Sequence, residues 1–367
     1  MRVAEITAEP IVHGGQERFI LNLLKHITAP DIEIDVVAPY FCNNKNFEET
    51  LTARGGKLIK LGLDFAPGKS RKNLLKPVSN VLREGGYDVA HIHSGSISAL
   101  AYCALAAHRA GCRQILVHSH CTGILSLKHS MIRIAFAPLL KLFPTNWLAC
   151  SRKAGEDKFP RSIVNKKLIV IKNGIELEQF QRDNELGQKV RKELGIARDA
   201  FVIGHVGHFS PQKNHSFLID VFAEVHARKP ESCLVLVGEG SLKKMIADRV
   251  DALGLKHCVY FIGATDNVSS YYNAMDCFAF PSLFEGLSYV LVEAQANGLP
   301  CLMSEGLTDE AVLNSNVIKL SLQKELWIEK LLKAESFDRI EDQNAIVKAG
   351  FSARETAKTV ETLYRAR

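Results

Sequence analysis

Two glutamates eight positions apart, Glu285 and Glu293, stand within FPSLFEGLSYVLVEAQANGLP, residues 280–300, with mostly apolar or small residues between them. Pro281 and Ser282 end the apolar run CFAF, Gly286 follows the first glutamate, and Gly298 and Pro300 close the segment before the run CLM. The pattern predicts a strand, a glycine-containing loop, a helix from about Ser288 to Asn297, then a turn and a strand. Ser288 is the expected N-cap and Gly298 the residue at the C-terminal end. The unpaired N–H groups and dipole of such a helix start favour an anion such as a phosphate. Glu285 in the loop and Glu293 on the helix could then face one ligand. Taken singly, each glutamate reads more simply as a solvated or ion-paired surface residue.

Other residues of chemical interest follow predicted strands. Gly14-Gly15-Gln16-Glu17 precedes the helical stretch RFILNLLKHI, and paired glycines there permit close backbone approach to a phosphate, though Gly-Gly is more often a plain turn. His91-x-His93 and His118-x-His120 end two successive predicted strands. Alternate residues on one strand share a face, so a metal site is conceivable. No carboxylate or cysteine is spaced to complete it, and satisfied polar histidines are the expectation for His91 and His93. Lys213 lies in the loop after FVIGHVG, and Gly238 and Ile262 mark the ends of two later strands. Gly68-Lys69-Ser70 is not a phosphate loop, because Leu63 stands where that motif needs glycine.

The elements that must position these groups are legible from composition. A length of 367 residues suggests about two domains. With 47% hydrophobic and 23% charged residues, the chain is an ordinary globular one. Apolar β-branched runs (IEIDVVAP, YDVAHIHS, RQILVHSH, FVIGHVG, CLVLVGEG and others) alternate with helix-sized segments throughout, which indicates parallel sheets covered on both faces. The expected architecture is α/β: two Rossmann-like domains, residues 1–175 and 176–350, facing each other across a cleft. A last helix, residues 351–367, is expected to cross back to the first domain. Ligands in such sheets bind beyond the carboxyl ends of the strands. A dinucleotide dehydrogenase would share the sheets but lacks a G-x-G-x-x-G after a strand with an acidic residue about 20 positions on.

Nine scattered cysteines without a CxxC pair read as reduced, buried residues of a cytoplasmic protein. The N-terminus MRVAEITAEP has no apolar leader, and no run is long enough to span a bilayer. Residues 1–175 carry 24 Lys and Arg against 13 Asp and Glu, net +11, whereas the remainder is net −5. A basic half implies an anionic ligand or surface. No nucleic-acid motif accompanies it, so nucleic acid is not the expected partner. Residues 124–143 hold Lys128, Arg133 and Lys141 among large apolar residues. They read as a buried helix kinked at Pro138 or, alternatively, as a basic amphipathic element on the inner face of the cell membrane.

The 280–300 string resembles the E-x7-E segment of glycosyltransferase family 4, the retaining, nucleotide-sugar-dependent enzymes of the GT-B fold. VHSHCTG (118–123 and its preceding valine) resembles a segment of capsule and exopolysaccharide members, and VGHFSPQKN resembles the family's VGRF…KN. The resemblance covers nearly the whole chain and implies roles for individual residues. Glu285 would sit beside the donor sugar with Gly286, Leu287 and Ser288, and Glu293 would hold the ribose hydroxyls. Lys213 would neutralise the donor diphosphate. The loop with Gly14, Gly15 and Glu17 would face diphosphate and acceptor, Gly238 and the backbone at Ile262 would flank the nucleotide, and His120, with His118 as fallback, would lie near the anomeric centre. The chain departs from the family at His208, which replaces an arginine; the loss of one permanent, bidentate cation weakens donor binding by roughly 1.5–3 kcal/mol. The implied activity is retaining transfer of a hexosyl group from a UDP-hexose or UDP-N-acetylhexosamine to an oligosaccharide or lipid-linked acceptor in capsule or exopolysaccharide biosynthesis. No metal or other cofactor is expected. A UDP-sugar 2-epimerase of the same architecture and a non-catalytic nucleotide-sugar-binding assembly partner are the alternatives.

Overall fold

A computed structural model describes residues 1–366 except 13, 67, 121–126 and 286, and residues 127 and 128 through their backbone alone. The chain divides into two compact units, Met1–Gly174 with Gly350–Arg367, and Ile175–Ala349. Each is a parallel sheet of the Rossmann type with helices on both faces.

The first sheet holds β1 (Arg2–Thr7), β2 (Glu33–Ala38), β3 (Leu58–Lys60), β4 (Val89–Ser94), β5 (Gln114–Ser119), β6 (Asn146–Ala149) and β7 (Leu168–Val170), in the order β3-β2-β1-β4-β5-β6-β7. The second holds β8 (Phe201–Val206), β9 (Ser232–Val237), β10 (Val259–Ile262), β11 (Cys277–Phe280), β12 (Cys301–Ser304) and β13 (Val317–Leu320), in the order β10-β9-β8-β11-β12-β13. Every pairing is parallel. Strand order reverses between β1 and β4 in one sheet and between β8 and β11 in the other. At such a point the connections leave in opposite directions and open a crevice beyond the strand ends.

The apolar runs become strands because both faces are buried: all six residues of each of β4, β5 and β8 are buried. One face of the first sheet is covered by Ile97–Ala110, whose alanines and Leu100 join Ile92, Val117 and Trp147 in one core. The other is covered by Gly15–His26 and by the last helix, Ala353–Arg365, through Phe19, Val360 and Tyr364. Several helix starts carry side-chain caps, including Ser96, Ser151 and Asp183, each accepting from an N–H three residues on. Gly111 and Gly195 end their helices at φ 88° and 72°, a left-handed conformation that glycine adopts without a Cβ penalty.

The stretch 124–143 is helical over Leu127–Leu142 with Pro138 inside. It is not a buried helix. Leu140 is enclosed and Ile132, Phe136 and Leu139 lean on the core, whereas Met131, Ile134 and Leu142 are 70–73% exposed on the other side. The apolar residues are more numerous than one packed face can hold.

In the second unit, Gly187 lies within the helix Asn184–Leu194, where a Cβ would stand 2.3 Å from the Asn273 carbonyl oxygen of the neighbouring helix. Alanine gains about 1 kcal/mol of helix propensity, but overpacking against backbone costs about 1–3 kcal/mol, and a carbonyl cannot rotate away as a side chain can. Gly187→Ala is therefore expected to lower the thermal midpoint of this unit; an unchanged or raised midpoint would show that the two helices separate at little cost.

Candidate active site

In the first unit the side chains at the β1/β4 switch point are almost all polar and almost all buried. Glu5, in the middle of β1, pairs in register with His91 of β4, and His93 pairs with His118 of β5. The Glu5 carboxylate receives Nε2 of His93 at 2.5 Å and the hydroxyl of Tyr364, and its Oε2 is 3.2 Å from Nδ1 of His91. His91 also meets the Tyr364 hydroxyl at 2.8 Å and Nδ1 of His118 at 3.3 Å, while His93 meets Nε2 of His120 at 2.8 Å. The Phe19 ring lies against all four imidazoles, with centroids 4.8–6.3 Å away. Burial alone would raise the Glu5 carboxyl, but His91 and His93 outweigh it and hold the group well below the usual carboxylate range. Burial lowers His93 to about 4 and drives His118 and His120 well below the ordinary imidazole value. Burial thus favours the neutral form of His93, His118 and His120.

His91 and His93 are thus satisfied histidines, as expected. The ligand atoms of His91, His93 and His118 lie within 4.8 Å of one another, a spacing that a metal ion could use. Their facing nitrogens are already engaged with each other, Glu5 and Tyr364.

Beside them, Glu9 accepts from the Ser94 hydroxyl at 2.6 Å and the Gly95 N–H at 3.3 Å, and burial raises its carboxyl. Gly14 precedes the helix Gly15–His26 in an extended conformation, with φ −143°, and both glycines are exposed. A Cβ on Gly14 would come within 2.6 Å of Glu17 Oε2. Glu17 is 5% exposed, its carboxyl accepts from the Val12 N–H at 3.4 Å, and burial raises it to about 7.

In the second unit the β8 loop and the β11 loop are stitched together. Leu283 N–H donates to the Gln212 carbonyl at 2.8 Å, Gln212 Nε2 to the Phe284 carbonyl at 2.9 Å, and Asn214 Nδ2 to the Pro281 carbonyl at 3.2 Å. Lys213 and Glu285, with side chains only 13% and 10% exposed, form an ion pair at 2.7 Å across this seam, and Lys213 Nζ also sits 4.7 Å from the centroid of the Phe280 ring. The helix after the loop is Tyr289–Ala296, with Ser288 as its N-cap residue but without a side-chain cap bond. The positive end of the helix dipole lies at this start. Glu293 is fully buried and accepts from the Tyr272 hydroxyl at 3.0 Å. Leu287 and Ser288 are buried, His208 is exposed, and Gly286 lies outside the described residues.

Gly238 takes φ 145°, a Cβ there would meet the Gly207 carbonyl at 2.2 Å, and its N–H donates to the Ile262 carbonyl at 2.9 Å. The Ile262 carbonyl therefore has a backbone partner of its own.

The structure thus gathers the expected residues into two groups. His118, His120, Glu17 and the two glycines belong to the first unit, and Lys213, His208, Gly238, Ile262, Glu285, Leu287, Ser288 and Glu293 to the second. Sequence reasoning missed Glu5, Glu9 and Tyr364 in the first group. The signal for Glu5 was an acidic residue inside the apolar strand RVAEIT. It also missed His205 and His215, buried imidazoles beside Lys213. His205 Nδ1 donates to the Ala279 carbonyl at 2.8 Å, and burial with the adjacent His215 pushes its value well down. His215 is lowered to about 4 by burial and then by Lys213 and His208, and its ring stacks on Phe209 with centroids 4.1 Å apart.

Two Rossmann-type parallel sheets, each with its polar cluster at the switch point, define the GT-B class. Residues 13–179 match the family described as Glycosyltransferase Family 4, and residues 188–350 match Glycosyl transferases group 1. The chain belongs to these glycosyltransferases. It is 28% identical over 365 residues to EpsF of Bacillus subtilis (strain 168), a glycosyltransferase by name, covering 96% of this chain and 93% of that one. It is also 28% identical over 244 residues to the Escherichia coli UDP-Gal:alpha-D-GlcNAc-diphosphoundecaprenol alpha-1,3-galactosyltransferase, covering 64% and 62% of the two chains. Among solved structures, Anabaena HepE in complex with UDP superposes with a TM-score of 0.76 at 21% identity, over 100% of both chains.

The raised Glu17 carboxyl carries a stability consequence. Its folded value of about 7 exceeds the unfolded one, so between the two the folded protein holds a proton that the unfolded chain has released. Folding free energy is then fully present below about pH 4 and declines as pH rises towards 7, by about 3 kcal/mol in all. Glu17→Gln should remove that decline and leave the variant more stable than wild type at pH 8. Parallel stability curves for the two proteins between pH 4 and 8 would disprove it.

Proposed function

We propose that the chain is a retaining glycosyltransferase that moves a hexosyl group from a UDP-sugar to a lipid-linked or oligosaccharide acceptor in surface polysaccharide assembly. The observation that carries the reading is the seam at the β8/β11 switch point, where Lys213 and Glu285 pair beside the uncapped start of the helix Tyr289–Ala296. A cation and a helix N-terminus at one strand end suit a diphosphate leaving group. Glu285, once Lys213 turns to the phosphate, is placed for a sugar hydroxyl, and Glu293 with Tyr272 for the ribose. In front-face substitution the bond from the anomeric carbon to the diphosphate breaks, the acceptor oxygen bonds on the same face, and its proton passes to the leaving phosphate. The names of the Escherichia coli relative, with a UDP-galactose donor and a diphosphoundecaprenol-linked acceptor, and of HepE with UDP support the donor and acceptor classes.

No helix of the described residues is long and apolar enough to cross a membrane. The exposed stripe of Met131, Ile134 and Leu142, with Lys141 beside it, supports surface contact with an anionic bilayer. Sedimentation with phosphatidylglycerol vesicles should carry the wild type down, and Ile134→Glu should leave more protein in solution. Equal sedimentation of both would remove the stripe from that role.

The donor site is tested by titrating UDP, GDP and NAD into the protein by calorimetry. UDP should bind best, Glu293→Ala should weaken it, and His208→Arg should tighten it about tenfold or more by adding a charge-assisted contact. A folded wild type that binds none of the three would overturn the reading, and a preference for GDP would change the donor class.

A further inference from the structure

The buried network of the first unit admits a count of its hydrogens. An ionised carboxylate only accepts, so every group that reaches Glu5 must donate: the Tyr364 hydroxyl, Nε2–H of His93 and, at 3.2 Å, Nδ1–H of His91, which the Tyr364 oxygen also accepts. A neutral imidazole with hydrogen on Nε2 has a lone pair on Nδ1. His93 Nδ1 lies 2.8 Å from His120 Nε2, which must therefore carry the next hydrogen. Neutral His120 is then left with a lone pair on Nδ1. That atom is buried and has no hydrogen-bond partner among the described residues. His120 directly follows β5, at the strand end where ligands of such sheets bind.

The geometry points to Glu5 as a positioning residue that acts through His93 to lock His120 in the tautomer protonated on Nε2, so that His120 Nδ1 accepts a hydrogen bond from a hydroxyl of the sugar substrate. Tyr364, on the last helix, orients the Glu5 carboxylate by occupying its other oxygen. The hydroxyl clause rests on the glycosyltransferase reading; the tautomer clause does not. An imidazole free to choose its tautomer presents an acceptor only part of the time, and a fixed one rejects sugars that lack a hydroxyl at that place. The same nitrogens cannot serve a metal, because His93 Nε2 carries hydrogen and its Nδ1 already accepts.

Glu5→Gln reverses the chain. Its amide oxygen still accepts from Tyr364, its NH2 donates to His93 Nε2, His93 then donates from Nδ1 to His120 Nε2, and His120 Nδ1 becomes a donor. The experiment is 15N NMR of histidine-labelled full-length protein at neutral pH. In the wild type His120 should show a protonated Nε2 and an unprotonated Nδ1; in Glu5→Gln the two should exchange. Tyr364→Phe, which leaves the carboxylate charged, should retain the wild-type tautomer. A wild type with His120 protonated on Nδ1, a Glu5→Gln spectrum unchanged at His120, or zinc bound by His91, His93 and His118 would each overturn the proposal. Should Glu5→Gln fail to fold, the wild-type and Tyr364→Phe spectra decide alone. With the tautomer exchanged, kcat/KM for sugar transfer should fall about 10–100-fold, the range of a buried acceptor turned into a donor, while UDP affinity stays within about twofold. An exchanged tautomer with undiminished transfer would overturn the hydroxyl clause alone, and loss of UDP binding by the wild type would separately sink the enzyme reading.

Discussion

A charged carboxylate without solvent exposure, in the middle of a parallel sheet, is the constraint on which the first unit depends. Glu5 could not be there alone, since an uncompensated buried charge costs several kcal/mol. Its partners come from three places in the chain: β4 supplies two imidazoles, β5 and the residue after it extend the row, and the final helix supplies a phenol. Phe19 closes the side towards the first helix with an apolar ring, so that water does not compete for those bonds. The polar row is laid along the sheet and opens at the strand ends.

The second unit solves its problem with backbone rather than with buried charge. Gly238 and Gly240 let the β9 loop lie against residues 207–209, where a Cβ would meet main-chain atoms at 2.2–2.6 Å. Phe209 N–H donates to the Glu239 carbonyl at 2.8 Å and Gly207 N–H to the Val237 carbonyl at 2.9 Å, which fixes the β8 loop. Asn214 takes a left-handed φ of 56° and ties that loop to Pro281. Lys213 is thereby held against Glu285 by its loop rather than by its own flexible stem. Such pre-ordering is what makes a charge useful to a ligand, because little remains to be organised on binding.

Much of this was legible in the sequence. Continuous apolar runs of β-branched residues, separated by helix-sized segments, have few solutions besides parallel sheets, and the residues after each run therefore had to stand at one edge. The helix around Glu293 was expected within a residue of its observed ends. What local pattern could not supply was side-chain direction and company. Glu5 is one acidic letter in an apolar run, and only the pairing of β1 with β4 shows that it meets His91. Tyr364 is 359 positions away from it. Ser288 sits where an N-cap belongs, yet its side chain makes no capping bond. The helix Leu127–Leu142 was the opposite failure: its composition suited a buried element, while Leu140 and its neighbours already fill the space that the core offers.

Because the last helix belongs to the first unit, the order in which the chain is made differs from the order in which its parts can be completed. Residues 175–349 are contiguous and can fold as they leave the ribosome. The first unit cannot: Ala357, Val360 and Tyr364 are members of its core, and Tyr364 is a partner of Glu5. During synthesis the earliest residues wait, with a helix-wide strip of their sheet uncovered and a carboxylate without its phenol, until the helix Ala353–Arg365 has been made. A nascent chain in that condition is the one a chaperone would hold, and a chain cut short by a few turns stays in it.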